Sequence, residues 1–154
     1  KAPPSGGLGG ASIVAIHDGV RPFINKKVLK EAYDFAKKWG NAVTSVKLKE
    51  SVRVINNDPD LPASLAFVQG RQAANEAVDR NNFRLIQTPQ CFSLPLIKRA
   101  YEQQEANDIT DDAGLVEKLG VKIHLIEGSY ENIKITTPED LIYADAILQL
   151  KIEN

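Results

Sequence analysis

Six polar residues lie where the sequence predicts strand ends or loops, and together they could bind a substrate. They are Asp18, Arg21, Arg80, Thr88, Thr110 and Lys134. Arginine binds phosphate through paired hydrogen bonds, and lysine acts as a point charge. A carboxylate can accept hydrogen bonds from sugar hydroxyls, or hold Mg²⁺ together with phosphate oxygens and water. These residue types therefore favour an anionic, hydroxylated substrate.

Each of these residues also has a purely structural interpretation. A single arginine in a loop usually belongs to the solvated surface. Arg21 could simply pair with Asp18, and Lys134 would face solvent if Ile133 and Ile135 belong to an alternating strand. Residue types alone leave the structural and the functional interpretations open.

No constellation typical of a catalytic nucleophile occurs in the sequence. The only cysteine, Cys91, follows Gln90 in an apolar setting that favours a buried structural thiol over a catalytic one. His17 could act as a base, but a role in ordering its loop by hydrogen bonding explains it better. Nucleotidyl transfer needs positioning and charge stabilisation more than covalent help from the protein, so this pattern is consistent with it.

The elements that must position these residues alternate between strand and helix. The predicted strands are 12–16, 41–46, 121–127 and 133–135, and the predicted helices are 26–39, 94–105, one from Thr110 or Asp111 to Gly120, and one from Pro138 towards Leu150. Such alternation predicts an α/β domain with a largely parallel sheet.

The segment 47–85 interrupts that alternation. Its predicted strands at 51–55 and 65–68, followed by one at 83–87, flank turn-rich stretches and hold few apolar residues. We interpret the segment as a protruding β-arm that packs on a partner chain. An ordinary hairpin on the same chain is an equally weighted alternative.

The composition excludes several classes of protein. A formal net charge of -1 argues against broad electrostatic binding of nucleic acid. No apolar run approaches the length of about 18 residues that a membrane span needs, and residues 1–7 lack the apolar core of a signal peptide. One cysteine excludes an internal disulfide and a multi-cysteine zinc site. We expect a cytoplasmic protein without nucleic-acid or membrane partners.

Four motifs occur together in the order and approximate spacing of one family. They are HDGVRPF at 17–23, QTPQCF at 87–92, ITDDA at 109–113 and ENIKITTPEDL at 131–141. On these motifs the chain resembles the 2-C-methyl-D-erythritol 4-phosphate cytidylyltransferases of non-mevalonate isoprenoid biosynthesis, from about Ile13 to Leu150. Each motif alone is weak, but four in order are specific for the wider cytidylyltransferase group.

The resemblance implies an enzyme that transfers CMP from CTP to methylerythritol phosphate, releases pyrophosphate and uses a divalent metal, usually Mg²⁺. It implies a Rossmann-like α/β fold and a homodimer interlocked by the β-arm at 47–85. It assigns the positioning of the acceptor phosphate to Arg80, from the partner's arm, and to Lys134. It assigns substrate contacts to Asp18, Arg21, Ser51, Thr88 and Thr110, and makes Asp18 a candidate metal ligand.

One part of the family's pattern has no counterpart here. The family begins with a glycine-rich loop that bears Arg and Lys and cradles the CTP phosphates, whereas residues 1–10 have glycines but no arginine, and the chain has no methionine. We therefore expect a single, incomplete nucleotidyltransferase domain over 1–154 that is inactive on its own. The alternatives are a cytidylyltransferase for a pentitol phosphate such as ribitol 5-phosphate, and a non-catalytic dimeric binding module.

Overall fold

The structure, a computed structural model, describes residues 12–55, 75–103 and 111–152. Its elements in chain order are β1 (Ile13–Ile16), α1 (Lys26–Trp39), β2 (Asn41–Lys47), β3 (Val52–Ile55), β4 (Asn75–Val78), a 3-10 helix (Arg80–Asn82), β5 (Arg84–Ser93), α2 (Leu94–Tyr101), α3 (Asp112–Lys118), β6 (Leu125–Glu127) and α4 (Pro138–Ile152). The chain divides into two compact units, a smaller one of residues Lys47–Leu85 and a larger one formed by the chain on either side.

A four-stranded sheet in the order β1-β5-β2-β6 forms the centre of the larger unit. Strand β5 runs antiparallel to β1, with Ile13 opposite Ser93, and β6 runs parallel to β2. The predicted α/β class is confirmed, and the sheet is mixed rather than purely parallel. Parallel neighbouring strands need a crossover connection, which is usually a helix. Strand β5 is preceded by the segment 47–85 and not by such a helix, so it can run antiparallel to its neighbour β1.

Two apolar clusters pack against this sheet. The cluster with α2 and α3 contains Val43, Phe92, Ile97, Ala100, Ala113, Leu115 and Val116. The cluster with α1 contains Ala32, Ala36, Ala42, Cys91 and Ile126. Successive strand residues join different clusters because side chains alternate between the faces of a strand. Both faces of the sheet are therefore covered by helices, as in other α/β folds.

Helix α1 has the bounds that the sequence predicts, because both of its ends carry strong local signals. The side chain of Asn25 accepts a hydrogen bond from the backbone N–H of Val28 at 2.8 Å. The helix ends at Gly40, whose φ of 89° is a left-handed conformation that glycine adopts without steric cost.

The smaller unit contains an antiparallel pair, β3 and β4, in which Val52 lies opposite Val78 and Ile55 opposite Asn75. Strand β3 confirms the prediction at 51–55, whereas β4 was not predicted. The strand predicted at 65–68 lies outside the described residues. Val54 and Ile55 are exposed, so the pair buries little apolar surface of its own, and isolated pairs of this kind are marginally stable.

Two predicted strands differ from the structure. Residues 133–135 form no strand, and a single backbone hydrogen bond of 2.9 Å from Ile135 N to Val20 O ties them to the loop after β1. Strand β6 begins only at Leu125. Just before it, the side chain of Asn41 donates to Lys122 O at 3.0 Å and accepts from His124 N at 2.8 Å, so a side chain takes the place of ladder pairing there.

Helix α4 starts at the predicted Pro138 and leaves most of its apolar side chains exposed. The carboxylate of Asp140 accepts hydrogen bonds from the backbone N–H groups of Thr136 and Thr137, both at 2.8 Å, and so stabilises the start of the helix. Ala144 is its one buried residue. Ile142 is 71% exposed and Ile152 is 82% exposed. Within the described ranges no helix is long and apolar enough to cross a membrane.

Candidate active site

Three chain segments of the larger unit meet beyond the carboxyl end of β1, and they carry four of the predicted site residues. Asp18 lies in the loop after β1, and its Oδ2 accepts from Arg21 Nε at 3.0 Å and lies 3.3 Å from Lys134 Nζ. Lys134 comes from the loop before α4. Thr88, in β5, joins the same group because its Oγ1 accepts from the backbone N–H of Asp18 at 2.9 Å.

The two cations set the charge of this group. Burial raises the pKa of Asp18, but the hydrogen bonds and charges of Arg21 and Lys134 outweigh it, so the pKa lies below its usual range. Because the folded-state pKa is lowered, ionised Asp18 contributes stability at neutral pH. This stability is lost as the pH falls from the ordinary pKa of 3.8 through the lowered value. One carboxylate between two cations leaves one net positive charge, which favours an anionic ligand.

His17 orders the loop rather than standing free as a base. Its Nε2 lies 2.9 Å from Arg21 O, and its Nδ1 lies 2.9 Å from Thr88 Oγ1. Because a carbonyl can only accept, Nε2 of the neutral ring carries the hydrogen, and Nδ1 then accepts from the Thr88 hydroxyl. The structure therefore supports the loop-ordering interpretation of His17.

Two buried amides, which the motif analysis did not select, hold the loop of Lys134 against β5. Gln87 donates from Nε2 to Ser129 O at 2.9 Å. Asn132 donates from Nδ2 to Thr88 O at 2.7 Å, and its own carbonyl accepts from Arg21 Nη1 at 2.8 Å. The available signal for both was their place in a motif, since Gln87 begins the second motif and Asn132 lies in the fourth.

The loop also needs glycine at position 128. A Cβ there would clash with Oε1 of Gln87 and lie 3.3 Å from Ser45 O. We expect Gly128→Ala to lower the free energy of unfolding by about 1–3 kcal/mol, because the amide of Gln87 must leave Ser129. Urea unfolding measures the change. Gly19→Ala is the matched control, since a Cβ at Gly19 meets nothing within 4 Å; equal losses in the two variants would contradict this prediction.

The remaining predicted site residues lie elsewhere or outside the description. Arg80 begins the 3-10 helix of the smaller unit, is exposed, and donates from Nη1 to Lys49 O. Ser51 is exposed in the same unit, directly before β3. Thr110 lies outside the described residues. The nearby start of α3 is held to β5, because Gln90 accepts from Ala113 N at 2.8 Å.

Cys91 has no part in this site. Its side chain is fully buried in β5, and burial raises its pKa to about 11. The thiol is therefore protonated and inaccessible at neutral pH, as the structural interpretation predicted.

Few protein side chains at this site could bind a metal ion. Residues 12–55, 75–103 and 111–152 contain no group of three or more His, Cys, Asp or Glu side chains that could hold a metal ion. Asp18 Oδ1 accepts no hydrogen bond from these residues, so one carboxylate oxygen is available. Magnesium commonly binds through one or two carboxylates together with substrate phosphates, and this donor set fits that mode only.

Comparison with known proteins identifies the family. The family model of 2-C-methyl-D-erythritol 4-phosphate cytidylyltransferase matches residues 8–150. The chain belongs to this family. A cytidylyltransferase of this name from Geobacillus thermodenitrificans is 40% identical over 147 residues, which cover 94% of this chain and 58% of the relative. The chain thus spans little more than half the length of such curated relatives.

Solved structures of the cytidylyltransferase family share the fold. The enzyme from Thermus thermophilus superimposes with a TM-score of 0.72 at 31% identity, covering 89% of this chain and 62% of that one. The 4-diphosphocytidyl-2C-methyl-D-erythritol synthase from Anaerococcus prevotii gives a TM-score of 0.73 at 34% identity, covering 89% of this chain and 56% of that one. The Rossmann-like interpretation is confirmed by these neighbours.

Proposed function

We propose that the protein takes part in the transfer of CMP from CTP to 2-C-methyl-D-erythritol 4-phosphate. In this proposal the group formed by Asp18, Arg21, Thr88 and Lys134 binds the acceptor. The observation that carries this proposal is the placement of Asp18 between Arg21 and Lys134. That arrangement combines a net positive charge for a phosphate with a carboxylate oxygen for a hydroxyl. The names of the curated relatives supply the substrates, since they are cytidylyltransferases for this sugar-alcohol phosphate.

The proposed reaction needs no covalent intermediate with the protein. A phosphate monoester with a second pKa of about 6 is largely a dianion at neutral pH, so its oxygen can attack without a general base. A bond forms between that oxygen and the α-phosphorus of CTP, the bond from that phosphorus to the bridging oxygen breaks, and pyrophosphate leaves. Lys134 and Arg21 hold the attacking phosphate, and Asp18 orients a hydroxyl of the acceptor.

We propose Mg²⁺ as the cofactor, bound chiefly by the triphosphate of CTP. The net positive charge around Asp18 disfavours a free dication, whereas a dication that arrives with phosphate oxygens brings compensating negative charge. Asp18 Oδ1 is the protein ligand that the site could add. The ion would neutralise charge on the reacting phosphates.

We further propose a homodimer formed through the β-arm 47–85, with Arg80 of each arm serving the site of the partner. The exposed side chains of β3 and the separation of this segment as its own compact unit support an arm that packs on another chain. We also propose that the reaction takes place in the cytoplasm.

Calorimetry and a pyrophosphate-release assay test the function. We expect methylerythritol phosphate to bind and to displace ribitol 5-phosphate in direct competition, and pyrophosphate release wherever the nucleotide-binding part is supplied. Preferential binding of ribitol 5-phosphate would overturn the choice of acceptor. Binding of neither compound would overturn the proposal and favour a non-catalytic module.

A further inference from the structure

We propose that Asn132 is a positioning residue for the acceptor site: it fixes Arg21, Thr88 and the loop of Lys134 relative to one another without touching substrate. This inference rests on the proposed function, because it concerns the same site. It adds a residue that neither the charge pattern nor the resemblance assigns, and it predicts an effect on acceptor binding from a side chain that solvent does not reach.

The contacts of Asn132 link the three segments of the site. Its side chain is fully buried and donates from Nδ2 to the carbonyl of Thr88 at 2.7 Å. Its backbone carbonyl accepts from Arg21 Nη1 at 2.8 Å. Lys134 follows two residues later in the same loop. One residue therefore connects the loop after β1, strand β5 and the loop before α4.

The contact with Arg21 determines which of its donors remain for substrate. Nε of Arg21 binds Asp18 and Nη1 binds Asn132, while Nη2 makes no hydrogen bond with the described residues. The guanidinium is planar and rigid, so fixing two of its nitrogens fixes the direction of the third. The carbonyl of residue 132 is present in any variant. Residue 132 is held by the hydrogen bond from its Nδ2 to Thr88 O at 2.7 Å, by one from its backbone N–H to Ser129 O at 3.1 Å and by one from Gln87 Nε2 to its carbonyl at 3.5 Å. Substitution of Asn132 removes the shortest of the three, so we expect the carbonyl to move.

Stability alone does not explain an asparagine at this position. Its Oδ1 is buried and accepts no hydrogen bond from the described part of the chain. A buried oxygen without a partner lowers stability by about 1–3 kcal/mol, whereas a hydrogen bond such as that of Nδ2 to Thr88 O contributes only about 0.5–1.5 kcal/mol. The amide is better explained by what its Nδ2 and the adjacent carbonyl hold in place.

The test compares Asn132→Asp with a matched control, Asn41→Asp. Asn41 is also fully buried, and its Nδ2 also donates to a backbone carbonyl, that of Lys122 at 3.0 Å. Each substitution replaces the donating NH₂ group by a carboxylate oxygen that faces a backbone carbonyl, and the two positions are equally buried. Only Asn132 lies at the acceptor site. Asn132→Ser is a second variant, for use if Asn132→Asp folds poorly. It removes the side-chain amide without adding a charge.

We expect the Asn132 variants to weaken binding of methylerythritol phosphate by about 10- to 100-fold, because small displacements of positioning groups have effects of this size. Asn41→Asp should lower the unfolding midpoint while leaving acceptor binding unchanged. Equal weakening in Asn41→Asp and Asn132→Asp, or none in either Asn132 variant, would overturn the inference.

Two further measurements separate this inference from the proposed function. In a double-mutant cycle, Asn132→Ser should weaken acceptor binding much less in an Arg21→Ala background, and full additivity would contradict action through Arg21. The NMR signal of the Arg21 Nε–H group should shift in Asn132→Ser but not in Asn41→Asp. This signal needs no substrate, so an unchanged signal overturns the inference, whereas failure of the unmodified protein to bind acceptor overturns only the proposed function.

Discussion

Lys134→Ala should lower kcat/KM for the acceptor by about 10²–10³-fold, since it removes a charged group that holds the attacking phosphate. In the structure Lys134 Nζ lies 3.3 Å from Asp18, and its side chain is 48% exposed, so it can turn from the carboxylate to a phosphate without disturbing the core. Steady-state kinetics with varied acceptor, or acceptor affinity by calorimetry, measures the loss.

The control for this prediction is Lys30→Ala. Lys30 forms an exposed ion pair with Asp34 on α1, and exposed pairs contribute little to stability. We expect both variants to unfold at nearly the same urea concentration as the unmodified protein, and only Lys134→Ala to lose function. Acceptor kinetics within twofold of normal in Lys134→Ala would refute the assignment of the site.

Arg80→Ala should cause a loss of similar size, about 10²–10³-fold, through the proposed contact of Arg80 with the acceptor phosphate in the partner's site. Mixing it with Lys134→Ala gives a sharper result. In a heterodimer of the two variants, one of the two sites receives both intact residues. Random exchange in an equal mixture should therefore restore about a quarter of normal activity, as two-fold symmetry requires.

The outcome depends on confirmed exchange between subunits. Native mass spectrometry of differently tagged chains measures the heterodimer. Heterodimers without recovered activity would contradict an Arg80 that acts across the dimer. Arg53→Ala is the matched control, because Arg53 is another exposed arginine of the same unit, in β3, bonded to Asn75. Alone it should keep normal activity, and its equal mixture with Lys134→Ala should have about half of normal activity whether or not the subunits exchange.

Features fixed by local physics were predictable from the sequence. Helix α1 has strong signals at Asn25 and Gly40, and its bounds are those predicted. The meeting of Asp18, Arg21, Thr88 and Lys134 was also predictable, because the motifs that contain them follow predicted strands or precede a predicted helix. The resemblance identified the family from those motifs, and the family comparison confirms it.

Features that depend on distant partners were not predictable. The antiparallel direction of β5 is set by its pairing with β1, which is distant in the sequence, and no local pattern encodes it. The alternation of Ile133, Lys134 and Ile135 suggested a strand, but Ile135 bonds to Val20 instead of to a sheet. Asn132 and Gln87 have roles defined by the atoms opposite them, and residue type alone does not reveal such roles.

Helix α4 has a consequence for how the protein behaves in solution. We expect its exposed apolar surface, which includes Ile142 and Ile152, to bind hydrophobic dyes and to promote self-association that does not involve the β-arm. Sulfate and phosphate salts strengthen contacts between apolar surfaces, and phosphate would also compete for the cations around Asp18. Light scattering in a buffer free of both anions therefore measures dimerisation with less contribution from clustering through the helix.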